Sequence, residues 1–440
     1  MGARLNNRPV TMFLSPYDIA LQRRAEENRP IRVGMLGAGN LARMLCLQLI
    51  GAPLAGIRLV AVANRTVGRA EALVREAGGT PRTVSVPADL ARVSGNPGIG
   101  VTDDPHLVTD SDGVDVILDA TGTVDFALGI VLRAFARGKH VVVANAELDS
   151  TLGPVLKARA DAAGVVYTNI DGDEPGVAMN LVRYARSIGL RPVAAGNLKG
   201  MVDPYRTPET QRAFAAEHGQ NPRIVTSFAD GSKLAMELCI LANATGFKVG
   251  RPGMYGPACK HVNDIAGLLP AHQMLDHGLV DYALGAAPGT GAFVVVHEES
   301  PARRRWLRYL KMGDGPFHVL YTPYHLPHIQ AMATIARAVD CADATVAPVG
   351  PAVCQVIACA KHDLPAGSTL DGSGGFTCYG RIENVTPAPG ATAGLPIALA
   401  NACTLTRAIR RDERITVADI DRTTPSAAAD LWLATLPATA

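Results

Sequence analysis

The stretch "IRVGMLGAGNLARMLCLQLI" at residues 31–50 constrains this chain more than any other. A short run of strand character enters Gly37-Ala-Gly39-Asn-Leu-Ala42, and a helical pattern follows at once. Gly37 can make a tight turn that a side chain would obstruct, and Gly39 lets the backbone approach an anionic group. Ala42 permits the helix to lie close on the strand. Asn40 and Leu41 open that helix, whose unpaired N–H groups face the anion. The motif predicts a doubly wound α/β sheet that holds a dinucleotide across its crevice. Glycine-rich turns occur widely, so the neighbouring strands have to support this reading.

They do so in order. "IRLVAVANRT" ends at Asn64-Arg65-Thr66, where a site for NAD usually places Asp or Glu on the ribose 2′-hydroxyl. No carboxylate stands there. Arg65 suits a 2′-phosphate and Thr66 a further hydrogen bond, which favours NADP; the alternative is a surface arginine in a strand–helix loop. "VDVILDATGT" then ends at Ala120-Thr121-Gly122, and "KHVVVANAE" at Asn145. Both ends belong on the ligand side of an open sheet. Strand–helix alternation continues through "GVVYTNIDGDEPG" and "LRPVAAGNLKG".

At 440 residues the chain is long enough for two or three domains, and 48% apolar with 19% charged residues is a folded composition. A net charge of +2 with few aromatic residues gives nucleic-acid binding little support. The one basic cluster, "RRRWLR" at residues 303–308, reads as a solvated surface segment. Apolar runs are interrupted by Arg58, Lys139 or Glu237 before they reach membrane-spanning length, and the N-terminus lacks a signal layout. Eight scattered cysteines, none in Cys-x-x-Cys, read as reduced thiols of a cytoplasmic protein.

Polar chemistry gathers after Gly196. "GNLKGMVDPYRTPET" offers Asn197, Lys199, Asp203, Arg206 and Thr207 directly after an expected strand. Part of this also reads as turn chemistry, with Asp203-Pro204 a turn and Thr207-Pro208 a helix start. In "TSFADGSKLAMELCILANATG", Asp230 stands as a helix cap and Gly246 as a stop. Asp230, Lys233 and Glu237 are spaced to share one stripe of an otherwise apolar helix. That stripe is either a surface ion pair or a polar strip facing a cleft.

Taken together, "DGDEPGVAMNL", "GNLKGMVDPYRTP", "TSFADGSK", "ANATG" and "YTPYHLPH" resemble the DXR-like (DRL) oxidoreductases, relatives of homoserine dehydrogenase in fold. The resemblance implies an NADP-binding Rossmann domain, an α/β catalytic domain at a subunit interface and a C-terminal SAF-like module. The last matches "AKHDLPAGSTLDGSGGFTCYGRIE" and "LPIALANACTLTRAIRRDERITVADI". The expected layout is an N-terminal arm (1–30), the Rossmann domain (31–150), a catalytic and oligomerisation domain (151–345) whose end packs back on the Rossmann domain, and a β-rich SAF-like domain (346–440). A small-molecule substrate and a homo-oligomer are implied, with no nucleic-acid or membrane partner.

The family's best-known activity is the NADPH-dependent conversion of 1-deoxy-D-xylulose 5-phosphate to 2-C-methyl-D-erythritol 4-phosphate. Homoserine dehydrogenases generally carry Lys just after the Asn that ends the "VVVAN" strand; Ala146 stands there, against homoserine oxidation. On this reading Lys199, Asp230, Lys233 and Glu237 are the catalytic candidates, and sequence does not rank the two lysines. Asn197, Asp203, Arg206, Ser227, Asn243 and His325 are expected to contact substrate, and Arg206, Ser227 or His325 its phosphate. A reductoisomerase also needs a divalent cation, Mg²⁺ or Mn²⁺, for which Asp203, Asp230, Glu237 and the "DGDE" acids are candidates. The acids of "DGDEPG" also read as a strand-to-helix loop with carboxylates at a helix start. The remaining readings are a plain dehydrogenase of a hydroxy acid, amino alcohol or sugar derivative, and an NADP-bound sensor.

Overall fold

Short apolar runs separated by helical segments assemble into one parallel sheet. The computed structural model describes residues 16–51, 56–94, 98–386, 390–422 and 424–436. The strands are β1 (Ile31–Leu36), β2 (Ile57–Ala63), β3 (Thr80–Thr83), β4 (Gly98–Thr102), β5 (Val116–Asp119), β6 (His140–Val143) and β7 (Tyr167–Asn169), in the order β3-β4-β2-β1-β5-β6-β7. A parallel sheet covered by helices on both faces needs strands that are apolar throughout. Val33, Met35, Leu59, Val62, Leu118 and Val142 bury on one face, while Leu36, Val60, Ile117, Val141 and Val143 bury on the other.

The chain moves outward from β1 through β2, then restarts at β5 on the opposite side of β1. The carboxyl ends of β1 and β5 therefore flank the switch-point crevice where open α/β sheets bind ligands. Because β7 pairs in parallel with β6, this sheet extends to Asn169, past the expected boundary at residue 150. The helix Pro16–Glu26 and the helix Pro327–Asp340 also join it: Leu21, Ala331, Met332 and Ile335 enter its core, and Arg24 pairs with Asp340 at 2.6 Å.

A second sheet holds β8 (Arg191–Lys199), β9 (Leu279–Leu284), β10 (Ala292–His297) and β11 (Phe317–Thr322), in the order β11-β10-β8-β9. β8 runs parallel to β9 and antiparallel to β10. Gly196 is required here, because a Cβ on it would lie 1.6 Å from the Asp281 carbonyl oxygen. The helix Ser232–Thr245 has twelve of its fourteen residues buried, which an apolar surface on all sides demands. Its Leu, Met and Ile side chains share one core with Ala195 and Val294 of this sheet.

That core continues into a strand-rich C-terminal region, where Val356, Ala358 and Ile382 complete it. β12 (Cys354–Ala360) pairs with β13 (Cys378–Asn384), and β14 (Cys403–Leu405) with β15 (Ile420–Arg422). Isolated bridges such as Leu364 with Ile409 and Thr369 with Thr404 tie the intervening segments together. The helix Ala427–Leu433 returns to the first sheet, where Trp432 is buried. Among the described residues no helix is long and apolar enough to cross a membrane.

Candidate active site

The cofactor end follows from β1. Gly37 has φ +104°, and a Cβ there would meet the Ala120 carbonyl oxygen at 2.7 Å. At Gly39 the space is open, and the helix Asn40–Gly51 presents its N-terminus beside it. This arrangement fits a dinucleotide pyrophosphate, which needs close backbone approach and aligned N–H groups. At the end of β2, Arg65 and Thr66 are exposed, while the Asn64 amide donates to the Thr66 carbonyl at 2.9 Å. Arg69, which the sequence reading passed over, is a further exposed arginine one turn on.

The ends of β5 and β6 are tied by a carboxylate that the sequence reading also missed. Buried Asp119 accepts hydrogen bonds from the Thr121 hydroxyl at 2.7 Å and the Asn145 amide at 3.1 Å. Asn145 also donates to the Thr123 carbonyl and accepts from Leu148 N–H as the cap of the helix Ala146–Ala162. Its side chain thus braces the crevice wall. Ala120, Thr121 and Gly122 line the open rim beside it.

The second sheet and two helices create a charged cluster. Asn197 and Lys199 are two apart on β8, so both point toward the helix that carries Glu237. The Asn197 amide donates to Glu237 at 2.9 Å, and Lys199 Nζ donates to Glu174 at 2.8 Å and to Glu237 at 3.4 Å. Asp173 stands at the N-cap position of the helix Glu174–Ser187 without a side-chain cap hydrogen bond, and Glu174 occupies the first turn, where the helix dipole favours a carboxylate. His325 Nε2 lies 3.8 Å from Glu174 and its Nδ1 contacts the Thr290 hydroxyl at 3.1 Å. Lys233 stands one turn before Glu237, half-buried in the same field.

These charges set each other. Burial alone would raise the Glu174 pKa, but Lys199 and His325 outweigh it and hold Glu174 down at about 2. Burial and then the nearby Glu174 push Glu237 up to about 8, against the pull of Lys199. Asp173 rises to about 6 through burial, despite Lys233. Burial disfavours the Lys233 ammonium, yet Asp173, Glu147, Glu237 and Glu174 more than offset that and raise its pKa. Lys199 is raised in the same way, its burial being outweighed by Glu237 and Glu174.

The lysines differ in one respect. Lys199 is held by two carboxylates, whereas no group among the described residues accepts a hydrogen bond from Lys233. One ligand oxygen each from Asp173, Glu174 and Glu237 lies within 4.8 Å of the others, and the Asn197 amide oxygen beside them is buried without a partner among the described residues. Hard oxygen donors of this kind fit Mg²⁺ or Mn²⁺.

Other expected site residues lie elsewhere. Asp230 precedes the helix rather than sharing a stripe with Lys233 and Glu237. It is buried, accepting from Ser232 N–H at 2.8 Å and from Lys361 Nζ at 2.8 Å. Lys361, contributed by the C-terminal region, also donates to the carbonyls of Arg206 and Gly375, so the pair clamps two parts of the chain. Asp203 pairs with Arg206 at 3.0 Å, half-exposed. Neither Asp203 nor Asp230 joins the carboxylate group, which corrects both as metal candidates; Asp173 and Glu174 stand in their place. Asn243 is also corrected: its carbonyl oxygen accepts from the N–H groups of Val353 and Cys354, which pins the start of β12. Ser227 donates to the Ile224 carbonyl and borders a cavity against the C-terminal region.

Comparison with known proteins bears on this geometry. Residues 37–169 match the family described as "Homoserine dehydrogenase, NAD binding domain", and residues 172–331 match "Oxidoreductase DRL, catalytic domain". The two matched domains are those of a nicotinamide-dependent oxidoreductase. They meet between Asn169 and Gly172, where the first sheet ends and the charged cluster begins.

A homoserine dehydrogenase of Methylobacillus glycogenes is 32% identical over 124 residues, 27% of this chain and 26% of that protein. The chain thus spans about a quarter of that relative. A crystal structure of a homoserine dehydrogenase from Thiobacillus denitrificans is similar at 17% identity, over 70% of this chain and 73% of that one, with a TM-score of 0.42. A DOX-P reductoisomerase in complex with NADPH, fosmidomycin and magnesium is similar at 17% identity, over 48% of this chain and 58% of that one, with a TM-score of 0.32.

Proposed function

We propose that this protein is an NADPH-dependent reductase of a small, phosphorylated ketose-like substrate, with Lys233 as the proton donor. The observation that carries the reading is the charged cluster beside the switch-point crevice. Lys199 is fixed by Glu174 and Glu237, which leaves Lys233 as the cation open to a ligand. Bound NADPH supplies hydride to a carbonyl carbon. Lys233 then stabilises the developing alkoxide and delivers the proton to its oxygen. Glu237, with a pKa raised to about 8, can pass a proton back toward Lys233 after each turnover. Arg65, in place of the carboxylate usual for NAD, supports NADP.

A divalent cation belongs to the reductoisomerase form of this reading, with conversion of 1-deoxy-D-xylulose 5-phosphate as its specific case. Asp173, Glu174 and Glu237 would hold the ion, which would polarise an α-hydroxyketone. The plain dehydrogenase reading is favoured by the similarity to homoserine dehydrogenases over the first domain. Ala146, buried at the start of its helix, supplies no lysine after β6 for homoserine itself. The SAF-like reading of the C-terminal region rests on its glycine-punctuated strand pairs. A cytoplasmic setting suits six buried free thiols, and self-association suits the exposed Trp306, Tyr309 and Leu310.

The test is NADPH oxidation over a panel of phosphorylated ketoses and aldehydes, with and without Mg²⁺ or Mn²⁺. Turnover only with a metal and deoxyxylulose phosphate supports the isomerase form. Turnover of other carbonyls without metal supports the plain reductase, and none at all supports the sensor.

A further inference from the structure

A cavity of about 770 Å³ lies where the C-terminal region meets the crevice. One wall is Gly122 and Thr123 at the end of β5, followed by Glu147, which also acts on Lys233. The opposite wall belongs to the C-terminal region and carries Ser373, Asn401 and Arg422. Arg223 and Ser227, on the helix Pro222–Ala229, close the side. The cavity thus touches both the cofactor rim and the field of the proposed proton donor.

Two of its polar atoms are unaccounted for: Arg422 Nε and Ser373 Oγ are buried with no hydrogen-bond partner among the described residues. Such donors are costly unless something pairs with them. They sit on the loop 371–375 and on β15, whose positions are enforced. A Cβ on Gly374 would lie 2.1 Å from the Arg223 carbonyl oxygen, so the loop must press on that helix. Asp371 anchors the loop by accepting from Phe376 and Thr377 N–H. Of the two acids in the wall, Asp125 accepts from the Ser426 hydroxyl and Ala428 N–H, and Glu147 adds to the field that favours the Lys233 ammonium. Arg223 acts on Asp371 without a salt bridge between them, and Arg422 hydrogen-bonds the Cys403 thiol, which burial keeps neutral; these two arginines are the cations of the cavity wall.

We propose that this cavity binds the phosphate of the substrate, with Arg223 and Arg422 as its cations and Ser373 as the hydroxyl donor. Paired guanidinium groups with a hydroxyl suit a phosphate monoester's oxygens. The C-terminal region is then a substrate-recognition element, because it supplies half of the site. This assignment deepens the proposed reductase reading and rests on it for the identity of the substrate, though not for its test.

The test is titration of inorganic phosphate into the NADPH-saturated full chain by calorimetry, with acetate as the control anion. NADPH saturation shields the nucleotide's own phosphate sites. Phosphate should bind to the wild type, and Arg422→Met and Arg223→Met should each weaken it at least tenfold with unchanged NADPH affinity. Arg305→Met, an exposed cation outside the cavity, should bind phosphate as the wild type does. Arg422→Lys keeps the charge and guards against misfolding, and should still lose severalfold because the planar fork is gone. Absence of phosphate binding to the wild type, wild-type binding in both folded Met variants, or equal binding of acetate would overturn the proposal. Because the assay reads binding alone, a failed reductase reading would show separately as missing NADPH oxidation.

Discussion

Replacing Lys199 by methionine keeps the aliphatic stem and removes the ammonium that lies between two nearly buried carboxylates. Lys199 Nζ is 2.8 Å from Glu174 and 3.4 Å from Glu237, and these acid side chains are 4% and 3% exposed. Breaking a buried pair by deleting one partner costs about 3–5 kcal/mol, since the remaining charge keeps its desolvation penalty. The acids respond by binding protons, which gives the loss a pH signature. In the intact protein Glu174 is held at about 2, below its unfolded value, so it stabilises above pH ~4.3 and that contribution fades as pH falls toward 2. Glu237 is raised to about 8, so its penalty grows as pH climbs from about 4 to 8. Without Lys199 the Glu174 contribution disappears and the Glu237 penalty extends to higher pH. Urea unfolding should therefore show a loss of about 3–5 kcal/mol at pH 7–8, smaller by about 1–2 kcal/mol at pH 4.5. A loss under about 1 kcal/mol, flat across that range, would refute the electrostatic account of the cluster.

Cofactor choice depends on Arg65: NADPH should bind at least tenfold more tightly than NADH, about 1.4 kcal/mol, and Arg65→Asp should erase or reverse this in fluorescence titrations. Lys361→Met should destabilise by about 3–5 kcal/mol, because it leaves Asp230 buried without its cation. Adding Asp230→Asn should recover part of that loss, and a double-mutant cycle measures the coupling.

The first sheet was legible because its signals are local. Gly37, Gly39 and Ala42 form a turn whose geometry is fixed within six residues, and Val-rich strands of a covered parallel sheet read as continuous apolar runs. The sequence also brought Lys199, Lys233 and Glu237 forward as residues whose charge an apolar context leaves unexplained. It could not separate the two lysines, because that depends on Glu174 arriving from another helix. Asp230 went to the wrong neighbourhood for a similar reason: its partner Lys361 is 131 residues away. Asn243 shows the limit from the other side. A buried amide inside an apolar helix reads as a ligand contact until the fold brings the Val353 and Cys354 N–H groups to it.

The central claim is that Lys233 donates the proton in an NADPH-dependent carbonyl reduction, and steady-state kinetics of Lys233→Met beside the wild type test it most directly. Using whichever substrate the NADPH-oxidation panel identifies, turnover should fall by roughly 10²-fold or more, about 3 kcal/mol, with NADPH affinity little changed. Near-normal turnover in the folded variant would contradict the account.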